Sequence, residues 1–193
     1  MSMKLVILGL LMETNRHTYD IRQTMKERGM HNYMKLQDGS LYYAMDQLHK
    51  EGLVEALEVV RETNRPEKTI YQITEEGRRK FQDLLMHQLH EEIKHYHPLY
   101  VALPFTVHGD QSKIANILEH KILEQKMLMT KMRSLYDEHV GIVPRVILQM
   151  MVGGYKRSLA ELRWLEQLQK DAREGRLQER DDQGLDVDWD RIE

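Results

Sequence analysis

A single short β-hairpin, set in a chain whose apolar residues otherwise recur at helical spacing, limits the possible folds more than any other feature. Residues 57–62 (LEVVRE) and 68–74 (KTIYQIT) are rich in β-branched side chains, and the TNRPE between them is turn chemistry. Two strands alone cannot bury a face, so they must lie against helices. With 31% charged and only 7% aromatic residues, the chain suits amphipathic helices better than a sandwich or a deep apolar enzyme pocket.

The helices can be placed from the same spacing. Residues 5–12 form a first, buried helix. The opening MSMKLVILGLLM imitates a signal peptide, but no small-residue cleavage site follows and Glu13 and Arg16 arrive at once. A bilayer span needs about twenty apolar residues, more than this run has. TNRH (14–17) is a polar break. A second helix over 18–28 puts Ile21 and Met25 on one face and ends at Gly29. Asp38 or Ser40 caps a third, with Leu41, Ala44, Met45 and Leu48 on one side and Gly52 as its stop. After the hairpin, Thr74 with Glu75 and Glu76 caps a fourth helix running into the 90s.

HPLYVALPF, bracketed by Pro98 and Pro104, reads as an irregular apolar segment. Two long helices follow, over 111–139 and 144–170, separated by Gly141. Their stripes are Ile114, Leu118, Ile122, Met129, Met132 and Tyr136, then Leu148, Val152, Tyr155, Leu159, Leu162 and Leu165. Two such stripes in one chain leave apolar surface uncovered unless a second copy packs there, so these residues are expected to form a homodimer contact. Gly153 and Gly154 within the last helix point to close helix packing. From Asp171 onward there are nine acidic and four basic residues with little apolar period, which reads as an acidic flexible tail and leaves the rest slightly basic. The expected division is 1–88, 89–170 and 171–193.

Helix, helix, capped helix, hairpin is the order of a winged helix-turn-helix, whose third helix enters the major groove while the hairpin reaches phosphates or the minor groove. With Leu41 at the centre of the buried side, Tyr42, Tyr43, Asp46 and Lys50 fall opposite. An exposed phenol can bond a phosphate and lay its ring on a sugar or a thymine methyl. Either ring could instead pack into the hairpin. Lys35, Lys50, Arg61, Arg65 and Lys68 are candidate phosphate partners, although a lone surface lysine is commonly just solvated.

ILGLL (7–11), HTYDI (17–21), DGSLYYAMDQLHKEGLV (38–54) and NRPEKTIYQITEEGRRKF (64–81), in that order, resemble the PadR family of bacterial transcriptional regulators over roughly the first 85 residues. ELRWLEQL (161–168) resembles, more loosely, the last helix of the larger members. The resemblance implies a mainly α fold with a small β-hairpin wing and a C-terminal antiparallel helical dimerisation domain. It also implies a dimeric repressor whose effector is often a small aromatic or phenolic compound, with Ser40, Tyr42 and Tyr43 meeting operator DNA from the recognition helix and Arg65 and Lys68 from the wing. Tyr43 stands where the family has proline, Glu67 where it has a basic wing residue, and Asp46 and Gln47 where a basic pair is common. These acidic changes favour a rival reading, a winged module that contacts proteins and has lost DNA. A second rival is a metal-responsive regulator using HQLHEEIKHYH, where His87, His90 and Glu91 share a face and His95 and His97 follow. Solvent-facing histidines on a dimer-linking helix are the ordinary explanation of such a cluster, so no metal and no cofactor are assigned. Trp164 and Tyr155 could line an effector pocket or simply be core.

Enzyme readings find no support: the chain has no Gly-rich phosphate loop, no nucleophile elbow and no HExxH. Without cysteine there is no disulfide and no thiolate chemistry, and a reducing cytoplasm is the expected home.

Overall fold

The computed structural model describes residues 3–34, 37–60, 68–92, 97–180 and 184–185. The apolar residues gather in two separate cores, in two units that divide at Lys94 and His95. The fold is mainly helical with a small antiparallel sheet, as the resemblance implies.

The N-terminal unit holds α1 (Met3–Glu13), α2 (Thr18–Glu27), α3 (Asp38–Lys50) and α4 (Glu75–His90), with strands β1 (Arg16–His17), β2 (Val54–Val60) and β3 (Lys68–Ile73) in the order β1-β3-β2. Ile7, Leu8, Ile21 and Leu48 are wholly buried, and Leu41, Ala44 and Met45 join them from the apolar side of α3. Burying such side chains contributes roughly 1.5–3 kcal/mol each, which is what holds three short helices together.

Three local expectations are corrected. The polar break at 14–17 contains a strand: Arg16 and His17 pair with Tyr71 and Ile70 of β3. Two residues cannot show an alternating pattern, so only the partner reveals them. β2 begins at Val54 rather than 57, because Gly52 adopts φ +71° and turns the chain from helix to strand within two residues. Neither Asp38 nor Ser40 is the N-cap of α3. Gln37 occupies that place with no side-chain bond, and the Asp38 carboxylate is engaged elsewhere.

Thr74 does cap α4. Its Oγ1 accepts from the Gly77 N–H at 3.0 Å and donates to the Gly52 carbonyl at 2.8 Å, tying helix start to strand start. Thr74→Ala should lower stability by about 1–2 kcal/mol, visible as a lower urea midpoint at unchanged m-value.

In the C-terminal unit, 98–108 is not irregular. It forms α5 (Pro98–Ala102) and a 3-10 turn (Leu103–His108), started by His97, whose Nδ1 accepts from the Leu99 N–H. His97 Nε2 therefore carries the proton and donates to Glu161 Oε1 at 2.8 Å, with the Tyr100 and Trp164 rings against the imidazole. α6 (Gln111–His139), capped by Asp110, and α7 (Arg145–Arg173) form a helical hairpin that turns at Gly141. α7 outruns its expected end at 170: Ala172 is buried and Leu177, in a 3-10 turn over Arg176–Gln178, packs on the same core.

The stripes of α6 and α7 face each other. Leu118, Ile122, Met129 and Leu162 are buried in the hairpin's own seam, while Ile114, Met132, Leu148, Val152, Tyr155 and Leu159 are half-buried. The residues expected to meet a second chain are thus first of all an intrachain core. Gly154 lies under the Met132 Cε, whereas Gly153 has open space where a Cβ would stand.

Candidate nucleic-acid interface

The outward face of α3 carries Asp38, Tyr42, Asp46 and Lys50, each four residues on from the last, with Tyr43 beside Tyr42. Tyr42 is 48% and Tyr43 67% exposed, so both rings stand largely open to solvent. The hairpin's own Tyr71, on β3, turns its ring edge-on to His49 of α3 at 5.7 Å. Ser40, in the first turn, is half-buried. Lys68 opens β3, and Lys35, Arg61, Arg65 and Glu67 lie outside the described residues.

Sequence reasoning missed what aims this helix. Arg22 of α2 donates from Nε to Asp38 Oδ1 at 2.6 Å and from a terminal nitrogen to Oδ2, a two-pronged bond that fixes the start of α3 against α2. The partners are sixteen residues apart in different elements, so no local pattern signals them.

Charge on this unit is largely self-neutralised. Lys4 pairs with Glu51 at 2.6 Å, Lys50 with Asp46 at 2.6 Å, Arg79 with Glu76, and both Arg16 and Arg28 with Glu13. The Arg28 guanidinium, hydrogen-bonded to Glu13, holds that carboxyl below the usual carboxylate range. Among the described side chains of this unit, Lys26, Arg78 and Lys80 have no carboxylate partner. What α3 presents is therefore an aromatic, hydrogen-bonding ridge flanked by carboxylates, not a basic one.

His87 Nε2 is 3.4 Å from Glu91 Oε1 and His90 Nδ1 donates to the Met86 carbonyl, while His97 is committed to Glu161 and His95 lies outside the described residues. Among the described residues no three His, Asp or Glu side chains are placed to hold a metal. Trp164 belongs to the His97–Tyr100 cluster. Tyr155 instead lines a shallow groove of about 260 Å³ with Met132, Arg133, Tyr136, Asp137, Met151 and Val152. Among the described residues no helix is long and apolar enough to cross a membrane.

Comparison with known proteins gives this arrangement a context. Residues 7–83 match the model of the transcriptional regulator PadR-like family. Bacillus subtilis PadR in complex with operator DNA superposes with a TM-score of 0.74 at 18% identity, over 88% of this chain and 96% of that one. The same protein in complex with p-coumaric acid gives 0.74 at 18%, over 88% and 98%. The PadR-like transcriptional regulator BC1756 from Bacillus cereus gives 0.66 at 21%, over 90% and 99%. Curated proteins yield no significant match. The shared fold extends through the C-terminal helices, and the family match spans α1 to α4. Residues 7–83, the winged-helix unit of this chain, thus match a PadR-like family domain, and the chain shares the fold of the solved PadR structures.

Proposed function

We propose that the protein is a cytoplasmic, homodimeric repressor, without enzymatic activity, that binds a pseudo-palindromic operator and is released by a small aromatic or phenolic effector. The observation that carries this reading is the free outward face of α3, with both tyrosines projecting from a helix whose start is fixed by Arg22 and Asp38. Ser40, Tyr42 and Tyr43 meet the major groove, and Lys35, Arg65 and Lys68 serve phosphates. The operator and p-coumaric acid complexes of the Bacillus subtilis protein support the two ligand classes. A two-fold dimer would read half-sites about 34–36 Å apart or a multiple of that. Release requires only that the effector bind one dimer arrangement better than the other, since differential affinity alone can shift the population.

The test is a salt titration on fragments that the protein enriches from its source genome. Log K should fall linearly with log salt, at a slope near −0.9 per phosphate neutralised. A module that contacts proteins instead is favoured by one observation, the self-neutralised cations of the N-terminal unit. That reading takes over if no fragment is bound in a salt-sensitive way.

A further inference from the structure

Two carboxylates share the outward ridge of α3 with the tyrosines, and their surroundings differ. The partner of Asp38 is Arg22, on another helix, so that bond positions α3. The partner of Asp46 is Lys50, one turn along the same helix at 2.6 Å, and both side chains are more than half exposed. This second pair joins no elements and covers no core. Exposed pairs of that kind hold little free energy, so neither packing nor stability accounts for it.

Its effect on a duplex would be considerable. Lys50 is the one lysine or arginine on α3, and its hydrogen bond to Asp46 turns its ammonium along the helix. A carboxylate entering the groove is repelled by phosphates. Unlike asparagine or glutamine it has no donor, so it cannot serve guanine N7 and O6 or thymine O4.

Building on the DNA-binding reading above, we propose that Asp46 is a specificity-determining residue: it withholds Lys50 from the phosphates and leaves itself one favourable groove contact, an exocyclic amino group of cytosine or adenine. On an arbitrary sequence the helix then gains neither the Lys50 phosphate contact nor the Asp46 hydrogen bond, and it keeps the repulsion. On its operator the amino group offsets that cost. Asp46 thus lowers affinity for all DNA and restores it at chosen sites, so the self-neutralised surface is a means of discrimination.

The experiment compares a duplex enriched by the wild-type protein with a scrambled duplex of equal composition, across a salt series. The proteins are wild type, Asp46→Ala and Asp46→Ala with Lys50→Gln. Asp46→Ala should bind the scrambled duplex about tenfold tighter and shrink the operator-to-scrambled ratio by about tenfold, the order of one lost base contact. Its salt slope should steepen by about 0.9, one added phosphate, and the second substitution should return the slope to the wild-type value. Scrambled-duplex affinity, ratio and slope all unchanged in Asp46→Ala, with wild type binding its duplex normally, would overturn the role of Asp46. Wild type binding neither duplex would overturn the DNA-binding reading itself, and this proposal with it.

Discussion

Gly77→Ala should cost the N-terminal unit about 3 kcal/mol or more, beyond the usual price of overpacking, because the obstacle is backbone. An alanine Cβ there would stand 2.0 Å from the Leu53 carbonyl oxygen and 2.8 Å from Ile73 Cγ1. Leu53 cannot retreat: its carbonyl accepts from the Thr74 N–H at 3.1 Å and its own N–H donates to Leu48 at 2.9 Å, closing the end of α3. The TEEG start of α4 and the EGLV end of α3 are thus one joint in which two backbones touch, and Gly77 is the residue that permits it. Gly52, at φ +71° with nothing near its missing Cβ, provides the contrast. Gly52→Ala should cost only about 1–2 kcal/mol, the strain of a left-handed alanine. Both tryptophans, Trp164 and Trp189, lie outside this unit. Gly77→Ala should therefore lose helical circular dichroism at low urea while the tryptophan emission transition stays near its wild-type midpoint. Coincident wild-type-like transitions by both probes would show that the joint yields.

What could be read in the sequence depended on range. α6 begins and ends where its stripe and the Gly141 stop place it, Thr74 caps α4 as its spacing requires, and the buried side of α3 is the one its apolar residues define. Each of these is settled within a turn or two of helix. Two of the misses involve partners far along the chain. Two residues of β1 become a strand only against β3, and Asp38 looks like a cap until Arg22 takes its carboxylate. The tyrosine pair was legible as lying opposite Leu41, but the edge-on contact of Tyr71 with His49 was not, because those two residues lie on different elements. The C-terminal stripes show the limit most plainly. Periodicity identifies an apolar face and says nothing about whose face it meets, and here Leu118 and Ile122 meet Leu162 and Leu165 of the same chain.

For the dimer proposed above, we propose that the contact is made by other residues. With the seam filled from within, the apolar side chains still offered to a partner include Leu123 and Met127 on α6, and Val146 and Met150 on α7, with Ile142 at the turn; Val146 is 70% exposed. Gly153 continues the Val146–Met150 line with nothing within 4 Å of its missing Cβ. Its own fold does not need a glycine there, and the residue costs that helix about 1 kcal/mol relative to alanine. A second helix approaching closely along this line gives the bare position a use. Arg133 and Asp137 add a self-complementary element, because they sit one turn apart on α6, form no ion pair among the described residues, and could cross-pair about a two-fold axis. Val146→Glu combined with Met150→Glu should therefore give a monomer at micromolar concentration by sedimentation. Its thermal unfolding should change little, since exposed substitutions usually shift stability by no more than about 0.5 kcal/mol each. Operator affinity should fall about a hundredfold or more, because the second half-site is then no longer held at the high effective concentration that a linked pair enjoys. Leu118→Ala, in the seam, should do the reverse: it should cost roughly 2–5 kcal/mol of stability and leave the assembly dimeric wherever it remains folded. Were the doubly charged variant to sediment as a dimer, the contact would lie away from the line of Val146, Met150 and Gly153, and that glycine would again lack a reason.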